Sequence, residues 1–496
     1  MNSKKAGLLL HITSLPSKYG VGTLGKACYD LIDFMHEAKL KIWQILPITP
    51  TGYGDSPYQS FAATALNYYM IDLEELIADG LLNKEKVENV DFGDGIRVDF
   101  SKQYNNKISL LRCAFEKFNK NDNEFKRFIE EKEYNDFALF MTLKKKFMNK
   151  AWYEWPNEYK YYSLDCEKNA IAENYDEYLF WLWTQFVFVN QWKRVKAYAV
   201  LKGVEIMGDI PLYIAYDSVE VWKYPKIFML NDKLEMTKVA GCPPDCFSAD
   251  GQLWGNPVYN WTYMKNDGYS WWKKRIYHTM KFVDILRIDH FRGFDRFFAI
   301  DSNETTARYG SWIDGPKFDL FKDMLDLNIV AEDLGVIDDG VIKLMNDVKY
   351  PGMKILEFAF DGNPKNEHKP SNYTSNYVAY TGTHDNMPLL QYVMDLSEKE
   401  KPIYFTDLEN ELSKYKIKLN SHNPKDVVWA IIELGFSSLA KMVIIPVQDY
   451  LCQDGSSRMN LPSQVSTSNW SYRIENNSLN EELKEKIKRL VNKYNR

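Results

Sequence analysis

Histidine and cysteine are both scarce, at seven and six among 496 residues. Cys28, Cys113, Cys166, Cys242, Cys246 and Cys452 are scattered, and only Cys242 and Cys246 stand close, around Pro243-Pro244-Asp245. No second pair or nearby histidine completes a zinc set, so no metal is expected. Sparse, unpaired thiols exclude a disulfide scaffold and fit a reducing compartment. No apolar run reaches the roughly 20 residues of a membrane span. Leu8-Leu9-Leu10 is too short for a signal-peptide core, and His11 interrupts it. The expectation is therefore a soluble cytoplasmic protein with no membrane partner. Basic blocks are missing too. Lys144-Lys145-Lys146 is a lone triplet and the formal net charge is -6, which argues against a nucleic-acid partner.

Aromatic residues, by contrast, are plentiful: 14 Trp, 33 Tyr and 27 Phe bring the aromatic share to 15%. Large cores use such rings, but flat apolar faces with polar edges also suit sugars. Most pointed is Ile285-Leu286-Arg287-Ile288-Asp289-His290-Phe291-Arg292-Gly293. A short apolar front reads as a buried strand, and its end is crowded with charge. Two flanking arginines, Arg287 and Arg292, are expected to hold Asp289 in its charged form. An oriented carboxylate at the C-terminal mouth of a strand is how a barrel presents a nucleophile. A structural ion pair explains this segment alone equally well.

Similar apolar runs recur along the chain. They start near Gly7, Ile42, Val204, Ile285, Asn328, Gly352, Tyr377 and Met442, with helical or inserted material between. Lys354 falls at the start of its strand, which argues against a Schiff-base role. Strand-helix-strand spacing implies parallel strands, and the natural closure is a (β/α)8 TIM barrel spanning 1–496 as a single catalytic domain. Residues 61–202 read as a mainly helical inserted subdomain, with helices from Lys107 to Phe118 and from Asp176 to Leu201. Residues 216–284 read as a second insertion. Within it, prolines and glycines stiffen Gly241 to Pro257 and hold the Trp254 indole outward like a ligand lid. The loop Thr51 to Ser60, beyond the second strand, carries Tyr53 and Tyr58 among small residues and reads as ligand-facing. Ser478 and Glu481 suggest a capping box for a final amphipathic helix.

Asp209, Asp289, Glu332 and Asp385 lie at the ends of four of these strands. In a barrel all would converge on one face, and clustered carboxylates repel, so stability alone would not gather them. Metal binding and glycosyl transfer both use such acids. A metal would recruit more histidines, and Arg287 suits a carboxylate that works without one. Glu332, in an apolar run beside Asp333, can keep its proton longer and suits a general acid.

Several motifs resemble those of the 4-α-glucanotransferases called amylomaltase or disproportionating enzyme, in the α-amylase superfamily. They are Gly54-Asp55-Ser56-Pro57-Tyr58, Gly208-Asp209-Ile210-Pro211, Arg287 to Gly293, Ala331-Glu332-Asp333-Leu334-Gly335 and Gly382-Thr383-His384-Asp385-Asn386, in order. The segment Gly241 to Pro257 is similar as well. The resemblance covers essentially the whole chain and is looser over 61–202. It implies Asp289 as nucleophile, Glu332 as general acid/base and Asp385 as transition-state stabiliser. Tyr58, Asp209, Arg287 and His384 would line the donor subsite, with Trp254, Asn460 and Pro462 on loops covering the glucan. It further implies maltooligosaccharides and α-1,4-glucans as substrates, no cofactor, no separate C-terminal β-domain, and a retaining double displacement with the two carboxyl groups about 5–5.5 Å apart. An amylase-like hydrolase using the same acids is the rival reading. A non-catalytic glucan-binding protein would need neither nucleophile nor proton donor.

Overall fold

The computed structural model describes residues 4–244, 250–462 and 464–496. Twelve strands occur among them: β1 (Lys5–Leu9), β2 (Ile42–Gln44), β3 (Glu205–Ile210), β4 (Lys238–Cys242), β5 (Gln252–Pro257), β6 (Ile285–Ile288), β7 (Arg296–Asp301), β8 (Gly310–Asp314), β9 (Ile329–Ala331), β10 (Gly352–Ile355), β11 (Tyr377–Tyr380) and β12 (Met442–Pro446). Eight of these pair side by side in the order β10-β11-β12-β1-β2-β3-β6-β9, and every pairing is parallel. Their residues are buried on both faces, which is why they read as continuous apolar runs rather than alternating ones. The edge strands β9 and β10 meet through Ala331 N–H to Pro351 O at 2.9 Å and Met353 N–H to Asp333 Oδ1 at 2.7 Å. The sheet thus curls into a nearly closed (β/α)8 barrel.

Gly208 on β3 makes room for a neighbouring side chain and not for a ligand. Val283 takes that space, since a Cβ there would lie 2.6 Å from its Cγ1. The strands also stop earlier than the apolar runs suggest. Ile12–Ser14 and Leu356–Phe358 are single 3-10 turns, and Val447–Tyr450 is a helical turn.

Between β2 and β3 the chain is mainly helical. Its longest helix, Tyr175–Leu201, has 27 residues and is apolar on nearly all sides. It packs against the helices Asn135–Lys146 and Lys26–Glu37. Two buried glutamines interrupt its apolar surface for a reason. Gln185 exchanges hydrogen bonds with Leu66 N–H and C=O, at 2.7 and 3.0 Å. Gln191 does the same with Asp72, at 2.7 and 3.1 Å. The amides pair backbone groups on either side of the 3-10 turn Tyr68–Met70, so Leu66 and Asp72 can be buried without orphaned backbone groups.

A four-stranded antiparallel sheet, β5-β4-β7-β8, stands outside the barrel. The sequence reading named none of these strands. Two come from the 216–284 stretch and two from residues that follow β6. Trp254 therefore rides on strand β5 and not on an irregular loop. Asp245, Cys246, Phe247, Ser248 and Ala249 of the same segment lie outside the described residues. After β12 the chain folds back over the barrel mouth and ends in the helix Glu481–Tyr494, with no separate C-terminal β-domain among the described residues. That helix is capped by Asn480, whose side chain accepts from Leu483 N–H at 3.0 Å, and not by the expected Ser478–Glu481 box. The cap falls to the residue directly before the first turn. No described helix is long and apolar enough to cross a membrane.

Candidate active site

Strand register brings the acids together. Asp209 pairs with Arg287 across β3 and β6, and Ile288 pairs with Ala331 across β6 and β9. The next residues, Asp289 and Glu332, leave neighbouring strands at the same height. Backbone bonds hold both: Asp289 N–H to Ile210 O, and Glu332 N–H to Ile288 O, each 3.0 Å.

Arg287 is the hub. Its Nη1 donates to Asp209 Oδ2 at 2.7 Å and its Nη2 lies 3.0 Å from Asp289 Oδ1. Arg287 and Asp209 are both buried, where a lone charge would cost several kcal/mol. Arg292, expected on the other side of Asp289, turns away. It donates to Val336 O and Asp338 Oδ2 and lies 3.8 Å from the ring centre of Trp312. The reason is His290, whose backbone sits at φ 49° and redirects the chain before Arg292 is reached. The flank is therefore one arginine, not two.

Glu332 is nearly fully buried. Its Oε2 accepts from His290 N–H at 2.7 Å and its Oε1 from Leu334 N–H at 2.8 Å. Loss of hydration, followed by the nearby Asp289 charge, pushes its carboxyl up to about 7. His290 goes the other way: burial holds its imidazole down at about 4, so it is neutral at neutral pH. The Trp254 indole stands edge-on to that ring, with centroids 4.9 Å apart, which places it over the Asp289 strand end.

On the opposite rim, Tyr58 OH donates to Asp209 Oδ2 at 2.6 Å and stacks on His384 at 4.8 Å with a 12° tilt. His384 Nε2 lies 3.4 Å from Asp385 Oδ1. Asn460 Nδ2 donates to the same oxygen at 2.6 Å. Pro462 lies exposed on the same loop as Asn460. The structure thus joins Asp209, Arg287, Asp289 and Glu332 on one side to Tyr58, His384, Asp385 and Asn460 on the other, through Tyr58 and Asp209. Among the described residues no group of three or more His, Cys, Asp or Glu is arranged to hold a metal ion.

Two neighbours escaped the sequence reading. Trp470 packs 5.6 Å from Tyr58 and 5.8 Å from His384. Arg458 donates to the backbone oxygens of Asp385 and Asn460. Both come from the loops after β12, where no strand periodicity points to them.

Residues 10–479 match the family model described as 4-alpha-glucanotransferase. The chain belongs to the 4-alpha-glucanotransferase family. A 4-alpha-glucanotransferase of Clostridium butyricum is 43% identical over 504 residues, covering 98% of this chain and all of its own. One from Streptococcus pneumoniae is 39% identical, covering 100% and 98%. Among solved structures, the amylomaltase from Streptococcus agalactiae in complex with acarbose superposes with a TM-score of 0.93 at 37% identity, covering 99% of both chains. The amylomaltase of Corynebacterium glutamicum shares the fold, with a TM-score of 0.80 at 16% identity, covering 98% of this chain and 75% of its own. The enzyme is a 4-alpha-glucanotransferase of the amylomaltase type.

Proposed function

We propose that this 4-α-glucanotransferase moves α-1,4-glucan segments between maltooligosaccharides by a retaining double displacement. Asp289 attacks the anomeric carbon while Glu332 protonates the departing oxygen. The glycosyl-enzyme is then opened by a sugar 4-hydroxyl, with Glu332 taking back the proton. Asp385 grips the donor-sugar hydroxyls and favours the distorted ring of the transition state. Asp209, Arg287, Tyr58 and His384 seat the donor sugar. Trp254, Asn460 and Pro462 cover the glucan.

The observation that carries this reading is the pair Asp289 and Glu332, on adjacent strands and in unlike surroundings. One carboxylate faces an arginine and is partly open; the other is buried, accepts only backbone N–H bonds and holds its proton up to about 7. Two acids in different environments are what nucleophile and proton donor require. Asp209 adds support: its Oδ1 is buried and finds no protein partner among the described residues, as suits a sugar-hydroxyl acceptor. A relative solved with acarbose is in keeping with glucan substrates. Buried Cys28 and Cys166 thiols suit a reducing cytoplasm.

Incubation with maltotriose, followed by chromatography, tests the reading. Glucose plus a ladder of longer maltooligosaccharides is expected. Glucose and maltose alone would make the site hydrolytic. Asp289→Asn should remove turnover by several decades and leave the melting curve nearly unchanged.

A further inference from the structure

One more acid stands at a strand end, outside the set assigned above. Glu357 lies in the 3-10 turn Leu356–Phe358 that follows β10, and its N–H donates to Thr381 O at 3.0 Å, which ties it to the turn after β11. It is 7% exposed. Its Oε1 accepts from Asn386 Nδ2 at 3.0 Å. The other end of that amide, Oδ1, accepts from both the N–H and the hydroxyl of Thr383, at 2.8 Å each. The Thr383 hydroxyl, having given its proton to Asn386, accepts from Asp385 N–H at 3.2 Å. The chain of bonds has one direction only, running from Asp385 through Thr383 and Asn386 to Glu357. Gly382 leaves room for it, since a Cβ there would sit 3.0 Å from Asn386 Cβ.

We infer that Glu357 is a positioning residue for Asp385, acting through Asn386 and Thr383. As an acceptor it orients the Asn386 amide, and the oriented amide sets the Thr383 hydroxyl under the backbone of Asp385. From the far side Arg458 and Asn460 hold the carbonyl and carboxylate of the same residue. Burial pushes the Glu357 carboxyl up to about 7, so a neutral acid sits there at mildly acid pH. Its Oε2 has no protein partner among the described residues, and neither has the nearby buried Tyr404 hydroxyl. The carboxyl therefore bonds through one oxygen, toward Asn386.

The inference rests on the proposed role of Asp385, so Asp385→Asn belongs in the same assay. Kinetics of maltotriose disproportionation would be measured for Glu357→Met, Glu357→Gln, Thr383→Val and Thr383→Ser, beside thermal melting. Glu357→Met and Thr383→Val should lose about 10–100-fold in kcat, as supporting-residue changes do. KM should stay within about threefold, because Asp385 acts in the transition state. Glu357→Gln and Thr383→Ser keep the acceptor and the hydroxyl, and should stay within about threefold of the parent kcat. Should Glu357→Met fail to fold, the threonine pair carries the test. Parent-like kcat in Glu357→Met and Thr383→Val beside an inactive Asp385→Asn would overturn the inference alone. Equal losses in Glu357→Gln and Glu357→Met would do the same. An active Asp385→Asn would instead overturn the reading of the site, and the inference with it.

Discussion

In the proposed mechanism Glu332 has to carry its proton up to the moment the glycosidic oxygen leaves, and its surroundings allow this near neutrality. Burial is the larger cause and the Asp289 charge the next. Since the protonated form acts, kcat should fall as pH rises through about 7. Asp289→Asn removes the like charge, so Glu332 should then titrate lower, as read from its carboxyl carbon by NMR. An unchanged titration would mean that the two acids do not sense each other. At this scale the acids were legible because each sits where an apolar run stops. Arg292 was misjudged, because adjacency in sequence does not say which way a side chain points after a left-handed residue. Glu357 lies inside an apolar run that continues through Phe358-Ala359-Phe360, so no break marks it, and the sequence reading weighed only Lys354 there. Trp470 carried no such signal; it reaches the site by a loop folding back.

Helices and strands were legible where packing enforces a period. The 27-residue helix is found one residue from where its pattern begins. The sheet β5-β4-β7-β8 was not seen, because its strands are short, partly exposed and paired across a long stretch of chain. Elsewhere an element is secured by one side chain. Arg496 donates to the backbone oxygens of Gly435, Phe436, Ser438 and Ala440, at the end of the helix Pro424–Ser437. Gly435 O also accepts from Ser438 N–H and Ser438 O from Lys4 Nζ, which leaves the carbonyls of Phe436 and Ala440, past the last turn, to the guanidinium. Arg496→Ala should destabilise the fold by about 1–3 kcal/mol through the unpaired buried oxygens. Calorimetry would show it as a lowered Tm with little change in KM.

For the molecule as a whole, the barrel followed from counting eight runs and the parallel rule. The outer sheet and the path over the mouth depend on contacts far apart in sequence. Buried acids also make stability depend on pH. Glu220, Glu332 and Glu357 each rise from 4.5 to about 7 on burial. The folded chain binds these protons more tightly than the unfolded one. The stability they contribute is fully present below 4.5 and is lost as pH rises through about 7. Tm should accordingly decline from about pH 5 to about pH 8, and Glu357→Gln should make that decline shallower.

The meeting of β9 and β10 has its own consequence. Where other neighbours share a ladder, these two share one backbone bond and one carboxylate contact. A cylinder opens first along its thinnest join, and this join adjoins the strand that carries Glu332. Warming should part Glu332 and Asp289, which stay together on β9 and β6, from Asp385 beyond β11 before the helices melt. Activity would then vanish at a lower temperature than circular dichroism, and exchange of the Ala331 and Met353 amides with deuterium would run ahead of those in β1 and β12. Thermal failure of this enzyme would begin as a loss of alignment rather than a loss of structure.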